Sequence, residues 1–170
     1  MFAIVGILAL IVSAPDTVRG GNADLEIHVT PRGLDHNEKR QADGSATDAK
    51  EHWLYDVTIE NKTFKELRDL EVNYIVFFTQ EKFGSKDAPG LKRMKGKLSL
   101  PSLQPHEKKN LATEAVEITK HHLAGGWVYT SGAKPKADDA LGGLWVRVMQ
   151  GGQQFSEYAN PSTLLKEKWE

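Results

Sequence analysis

The sequence predicts an all-β protein, an antiparallel sandwich of about seven strands that ends in a short C-terminal helical turn. Three observations lead there. Across residues 53–78, two segments of alternating apolar residues flank the turn 61–66 and read as paired strands. Near the C-terminus, Leu144, Val146 and Val148 alternate with Trp145, Arg147 and Met149 before Gly151 and Gly152, which supply the positive φ of a tight hairpin turn. Similar stretches recur between turn signals, with no internal repeat, as in a sandwich.

The first strand follows from Leu25, Ile27 and Val29 alternating with Glu26, His28 and Thr30. Residues 31–50 are charged and Gly-containing with almost no large apolar side chain, so they are expected to form a solvated connection or carry a short edge element. Trp53, Tyr55, Val57 and Ile59 then mark a strand with one buried side. The strand 70–78 repeats the alternation through Leu70, Val72, Tyr74, Val76 and Phe78, but Ile75 and Phe77 make its second half apolar on both faces, which places it centrally in a sheet. A basic, Gly-rich loop is expected to run to Gly96, then a short strand through Leu98 and Leu100 that Pro101 stops. Residues 111–119 read as one strand, 127–130 as a short one, 131–139 as a polar loop and 154–158 as the return of the last hairpin. Asn160 and Pro161 form a cap and first-turn pair for one or two helical turns over 162–168.

A chain of 170 residues, 39% hydrophobic, fits one globular domain with a useful core. The net charge of -1 and pI of about 6.6 give no overall electrostatic reason for nucleic acid as a partner. The absence of cysteine removes disulfides, thiolate metal sites and a cysteine nucleophile together, and suits a bacterial envelope protein stabilised by packing. Residues 2–12 form an apolar run shorter than the roughly 20 residues that span a bilayer. They read as the core of a signal peptide, cleaved after Ala14 or, because Pro15 disfavours that site, after Ala23. No Lys or Arg precedes the run, so the alternative is an N-terminal apolar strand. The expected organisation is a signal peptide over 1–23 and a single domain over 24–170, exported to the periplasm or cell surface without a stable transmembrane anchor.

The run Val57, Thr58, Ile59, Glu60, Asn61, then Leu67 and Leu70, then Val72, Tyr74 and Phe77, resembles bacterial extracellular immunoglobulin-like domains of the FxLYD kind. The step Leu100, Pro101, Ser102, Leu103, Gln104, Pro105 is similar to the proline-containing turn that such domains place before their next strand. The resemblance covers about residues 52–119 and implies an immunoglobulin-like sandwich, a fold rather than a function. The segment Gly143, Leu144, Trp145, Val146, Arg147, Val148, with Glu157, Tyr158, Ala159, Pro161 and Ser162, also resembles small uncharacterised exported proteins of bacteria. Immunoglobulin-like domains also occur in archaeal-type pilins, but the apolar run here is too short for a pilin stem helix.

No catalytic, cofactor or metal site can be nominated. His121 and His122 are adjacent, so on a strand they point to opposite faces, and His28, His36, His52 and His106 lack metal-ligand spacing. Asp138 and Asp139 could offer oxygen to a hard cation but lack the pattern of a calcium loop, and a solvated loop is the plainer reading. Ser85 and Ser131 sit outside any nucleophile-elbow sequence.

The candidate contact residues are of two kinds. Residues 82–97 hold Lys82, Lys86, Lys92, Arg93, Lys95 and Lys97 against Asp87 alone, a bias that suits an acidic glycan, lipid headgroups or an acidic protein surface, or simply lysines that keep a sheet edge soluble. Trp145, Arg147 and Met149 lie on the far face of their strand, which is either an open interface or a surface covered by the segment ending at Trp169. The expected role is non-catalytic protein–protein contact, including self-association, in the cell envelope. The alternatives are a carbohydrate- or polyanion-binding module, whose aromatic and basic groups must converge on one surface, and a pilus or surface-fibre subunit.

Overall fold

A computed structural model describes residues 24–169, and the expected signal peptide lies outside them. The described chain is an antiparallel all-β sandwich of eleven strands and one 3₁₀ turn. More strands are present than expected because two of them contain only two residues and the predicted strand over 111–119 is divided.

In the first sheet, β1 (Leu25–Arg40) and β2 (Ala46–Asn61) form a long hairpin, with a bulge between Gly33 and Asp35. The other side of β2 pairs with both β7 (Lys108–Ala112) and β8 (Val116–Leu123), and β9 (Lys136–Asp138) adds to β8. The second sheet runs β11 (Gln153–Asn160), β10 (Ala140–Gln150), β4 (Leu70–Gln80), β5 (Gly90–Ser99). A two-residue pair, β3 (Leu67–Arg68) with β6 (Ser102–Leu103), lies apart from both sheets.

The period-two residues of each sheet meet in one core. Tyr55, Val57, Ile59, Val116 and Ile118 pack with Val72, Tyr74, Val76, Leu144, Val146 and Val148. Each such side chain, fully buried, contributes about 1.5–3 kcal/mol. β4 is central, and Ile75 and Phe77 are fully buried on its outer face, as their two-sided apolar pattern predicts.

Several expectations are corrected. The segments before and after the turn 61–66 do not pair with each other: β2 and β4 belong to opposite sheets, and the connection crosses between them. Fully buried Asn61 makes that crossing. Its Nδ2 donates to the carbonyls of Lys65, Leu103 and Gln104, and its Oδ1 accepts from Thr63 N and Oγ1. Residues 31–50 are no loop but the outer part of the β1–β2 hairpin, in which 31–40 are exposed. Their polarity reports solvent on the side chains, while backbone hydrogen bonds to β2 still hold the extended chain.

The predicted strand 111–119 breaks at Thr113, whose Oγ1 accepts from Tyr55 N while its own N donates to Tyr55 O, both at 2.9 Å. The basic run is a loop only over 81–89, because β5 begins at Gly90. Residues 127–130 form no strand but an irregular connection that turns at Thr130, and 136–138 of the expected polar loop form β9. The helical turn is 3₁₀ (Ser162–Lys166), with Pro161 rather than Asn160 as its cap.

Two further features shape one end and one outer face of the sandwich. Between β9 and β10 the chain changes sheets at buried Asp139, whose Oδ1 accepts from Glu81 N at 2.9 Å and whose Oδ2 accepts from Thr119 N at 3.1 Å. Both oxygens are therefore spent on backbone donors, and the residue is neither a solvated loop carboxylate nor an open cation ligand. On the outer face of the second sheet, Leu164, Leu165 and Trp169 cover Ile75, Phe77, Trp145 and Ala159.

Candidate functional site

The sequence-predicted contact residues divide according to what the fold does with them. Trp145 is buried and so is not an interface anchor: its ring meets Trp169 edge-on with centroids 4.9 Å apart, and its Nε1 donates to Glu157 at 2.9 Å. Arg147 is held between the two rings, 4.6 Å from Trp145 and 4.2 Å from Trp169, and donates to Glu157 at 2.6 Å. Met149 is half-buried near the end of the same strand. Of the two expectations for this strand face, the covered one holds at Trp145 and Arg147, over which Trp169 of the C-terminal segment lies.

The six cations of the basic run separate in the same way. Arg93 lies over the Phe77 ring and binds Glu167 and the Lys168 carbonyl, while Lys97 pairs with Glu71 at 2.8 Å. Both serve the sandwich. Among the described residues Lys82, Lys86, Lys92 and Lys95 form no ion pair. Lys82 and Lys92 line one cleft, and Lys86 lies over Gly132 in the neighbouring loop.

That cleft, of about 550 Å³, opens where the loop 81–89 meets β8 and β9. The size falls in the ordinary range of small-ligand sites. Glu81 anchors the loop, because its N donates to Asp139 while its Oε2 accepts from Asp138 N at 3.0 Å. The backbone bond from Asp138 also holds the Glu81 carboxyl below its usual range. Ser85 Oγ donates to Asp87 at 2.7 Å and accepts from Asp87 N at 3.0 Å, which fixes the turn.

Phe83 leans from this loop onto the His121 ring and meets Tyr129 edge-on at 5.0 Å. Beneath it, His121 Nδ1 is bonded to Asp48 Oδ1. A carboxylate only accepts, so Nδ1 carries the hydrogen, and in the neutral ring Nε2 holds the lone pair. His121 Nε2 is buried without a partner, as is the Tyr129 hydroxyl. Burial, then the nearby Asp48 carboxylate, pushes the Tyr129 phenol above its usual pKa. Orphaned buried groups of this kind cost about 1–3 kcal/mol each.

Sequence reasoning weighed His121 only against His122 and overlooked Phe83, Tyr129 and Asp48. The legible signal was Phe83 itself, a large apolar residue inside a polar loop. Four of the other five histidines answer to carboxylates, His52 to Asp35, His36 to Glu51, His28 to Glu26 and His122 to Asp138, while His106 meets the Phe64 ring edge-on. Among the described residues no three metal-ligating side chains gather into a cation site.

No protein-family model matches the chain, and no curated protein matches it. Among solved structures it is similar to the Northeast Structural Genomics Consortium target SoR45, at 12% identity and a TM-score of 0.34, over 75% of this chain and 86% of that one. A protein from Akkermansia muciniphila is similar at 11% identity and a TM-score of 0.26, over 85% and 74% of the two chains. DesR, a β-glucosidase from Streptomyces venezuelae crystallised with D-glucose, is similar at 11% identity and a TM-score of 0.25, over 78% of this chain but 15% of DesR. At these TM-scores none of the three bears on what the cleft does.

Proposed function

We propose that the protein is an exported, non-catalytic binding module of the bacterial envelope that holds a polyanion, in the first place an acidic glycan, at the sandwich end built by residues 81–89 and 124–135. One observation carries this reading: Lys82 and Lys92, without a carboxylate partner among the described residues, line a cleft with the half-exposed Phe83, and Lys86, equally unpaired, lies over Gly132 in the neighbouring loop. Unpaired lysines around an aromatic ring supply charge for an anion and an apolar face for a ring-shaped ligand. The test is the binding of polygalacturonate across a salt series. Affinity is expected to fall with salt, and replacing Lys82, Lys86 and Lys92 together with Ala should weaken it at least tenfold and flatten the salt dependence. Binding unchanged by the triple substitution would remove the proposal.

A second reading, self-association through a sheet edge, is favoured by β1, whose residues 31–40 are exposed and pair on one side only. Pro31, the bulge at Gly33 and a row of charged side chains oppose further strand pairing there. Light scattering over a concentration range separates the two: growth in mass supports the edge, and a constant monomer supports the cleft.

A further inference from the structure

Building on that reading, we propose that the space behind Phe83 is a subsite for a polyhydroxy carboxylate, a uronate or sugar-acid unit, which enters as Phe83 swings aside and donates a hydroxyl hydrogen to His121 Nε2. Each part of the ligand answers to a group already described. His121 lines the cleft, is only 8% exposed, has one ring nitrogen buried without a partner, and its ring meets the loop residue Phe83. With the other nitrogen donating to Asp48, Nε2 of the neutral ring accepts, and its complement is a donor such as a sugar hydroxyl.

Lys82 and Lys92 line the same cleft and lack anionic partners, so the ligand also carries negative charge. Glu81 and Asp87 line the cleft as well. Glu81 is paired with Lys134, and the Asp87 charge opposes a compact dianion such as phosphate more than a monoanion while its remaining lone pairs accept from hydroxyls, which favours one carboxylate surrounded by hydroxyl groups.

Phe83 is suited to move. It is 43% exposed and sits in the loop between β4 and β5, and the ring contacts that hold it are to His121 and Tyr129. Its two ring neighbours, His121 and Tyr129, each hold a buried polar atom without a partner. Moving it aside frees both groups to bond.

The experiment is a titration of the intact domain with sodium D-glucuronate at constant ionic strength, followed by the imidazole carbon-bound proton signals in NMR. Saturable shifts at His121 are expected, with D-glucose, sodium acetate and the Lys92→Met variant each at least tenfold weaker. An oligogalacturonate that binds tenfold tighter than the monomer identifies a glycan as the source, and equal affinity identifies a free sugar acid; both support the subsite.

Phe83→Ala, a change at a loop surface, should raise the rate of His121 acylation by diethyl pyrocarbonate at least fivefold, and glucuronate should suppress that rise. An unchanged acylation rate overturns the moving ring. Lysine-dependent binding of polygalacturonate without any glucuronate shift at His121 overturns the subsite and leaves the broader binding surface intact. Absence of both bindings overturns the two together.

Discussion

Replacing Asn61 with Ala would strip three donated and two accepted hydrogen bonds from a site without solvent access. Each bond replaces one to water and is worth about 1 kcal/mol net, but the orphaned carbonyls add their desolvation, so a loss of about 3 kcal/mol is expected in urea unfolding. Asn61 is legible in the sequence only as the end of an alternating strand, because its partners Leu103 and Gln104 lie some forty positions away. Glu51 makes a different prediction. Lys120 first, then Trp53, hold its carboxyl down to about 2 from an ordinary 4.5. A carboxyl depressed in the folded state stabilises the fold above its unfolded value and ceases to do so as pH falls from about 4.5 toward 2. Melting temperature should therefore drop over that window, and Glu51→Gln should flatten part of the drop. The partial exposure of Lys120 keeps the effect modest.

In β5, Gly96 faces Tyr74 across the ladder, and a Cβ there would fall inside the Tyr74 side chain, whose hydroxyl accepts from Glu114 N at 2.9 Å. Gly96→Ala is expected to cost about 2 kcal/mol by overpacking, measured by thermal or urea unfolding. On the opposite face, Trp169→Ala should open Trp145 to water and shift its fluorescence to the red, with melting temperature falling as the Arg147 stack is lost. Elements were legible where buried residues recur at period two, as in residues 53–59 of β2, in β4 and in β10, while β11 was legible as the return of the Gly151–Gly152 hairpin. They were illegible where the backbone ladder alone holds the chain, as in the polar half of β1. Where a side chain stands in for the ladder, as Thr113 does between β7 and β8, the pattern also gave no warning.

For the whole molecule, amide exchange should rank the strands. The central residues 72–77 and 144–148 have neighbours on both sides and cover on both faces and should exchange slowest, while 31–40, paired on one side and exposed, should exchange fastest. Uniform protection across these segments would contradict the layered arrangement. The sandwich was readable from composition and period, but the cleft was not. It joins Asp48, Phe83, His121 and Tyr129 from separate strands and loops, and no local spacing signals a meeting of that kind. The change of sheets at Asp139 gives the molecule an asymmetry toward chain cutting. A nick in the 41–45 tip leaves each half of its hairpin paired, so a protease could open it and the two pieces would stay together. A nick between Asp138 and Ala140 would sever the crossing itself, loosen Asp139 from its two backbone donors and release the loop that carries Phe83.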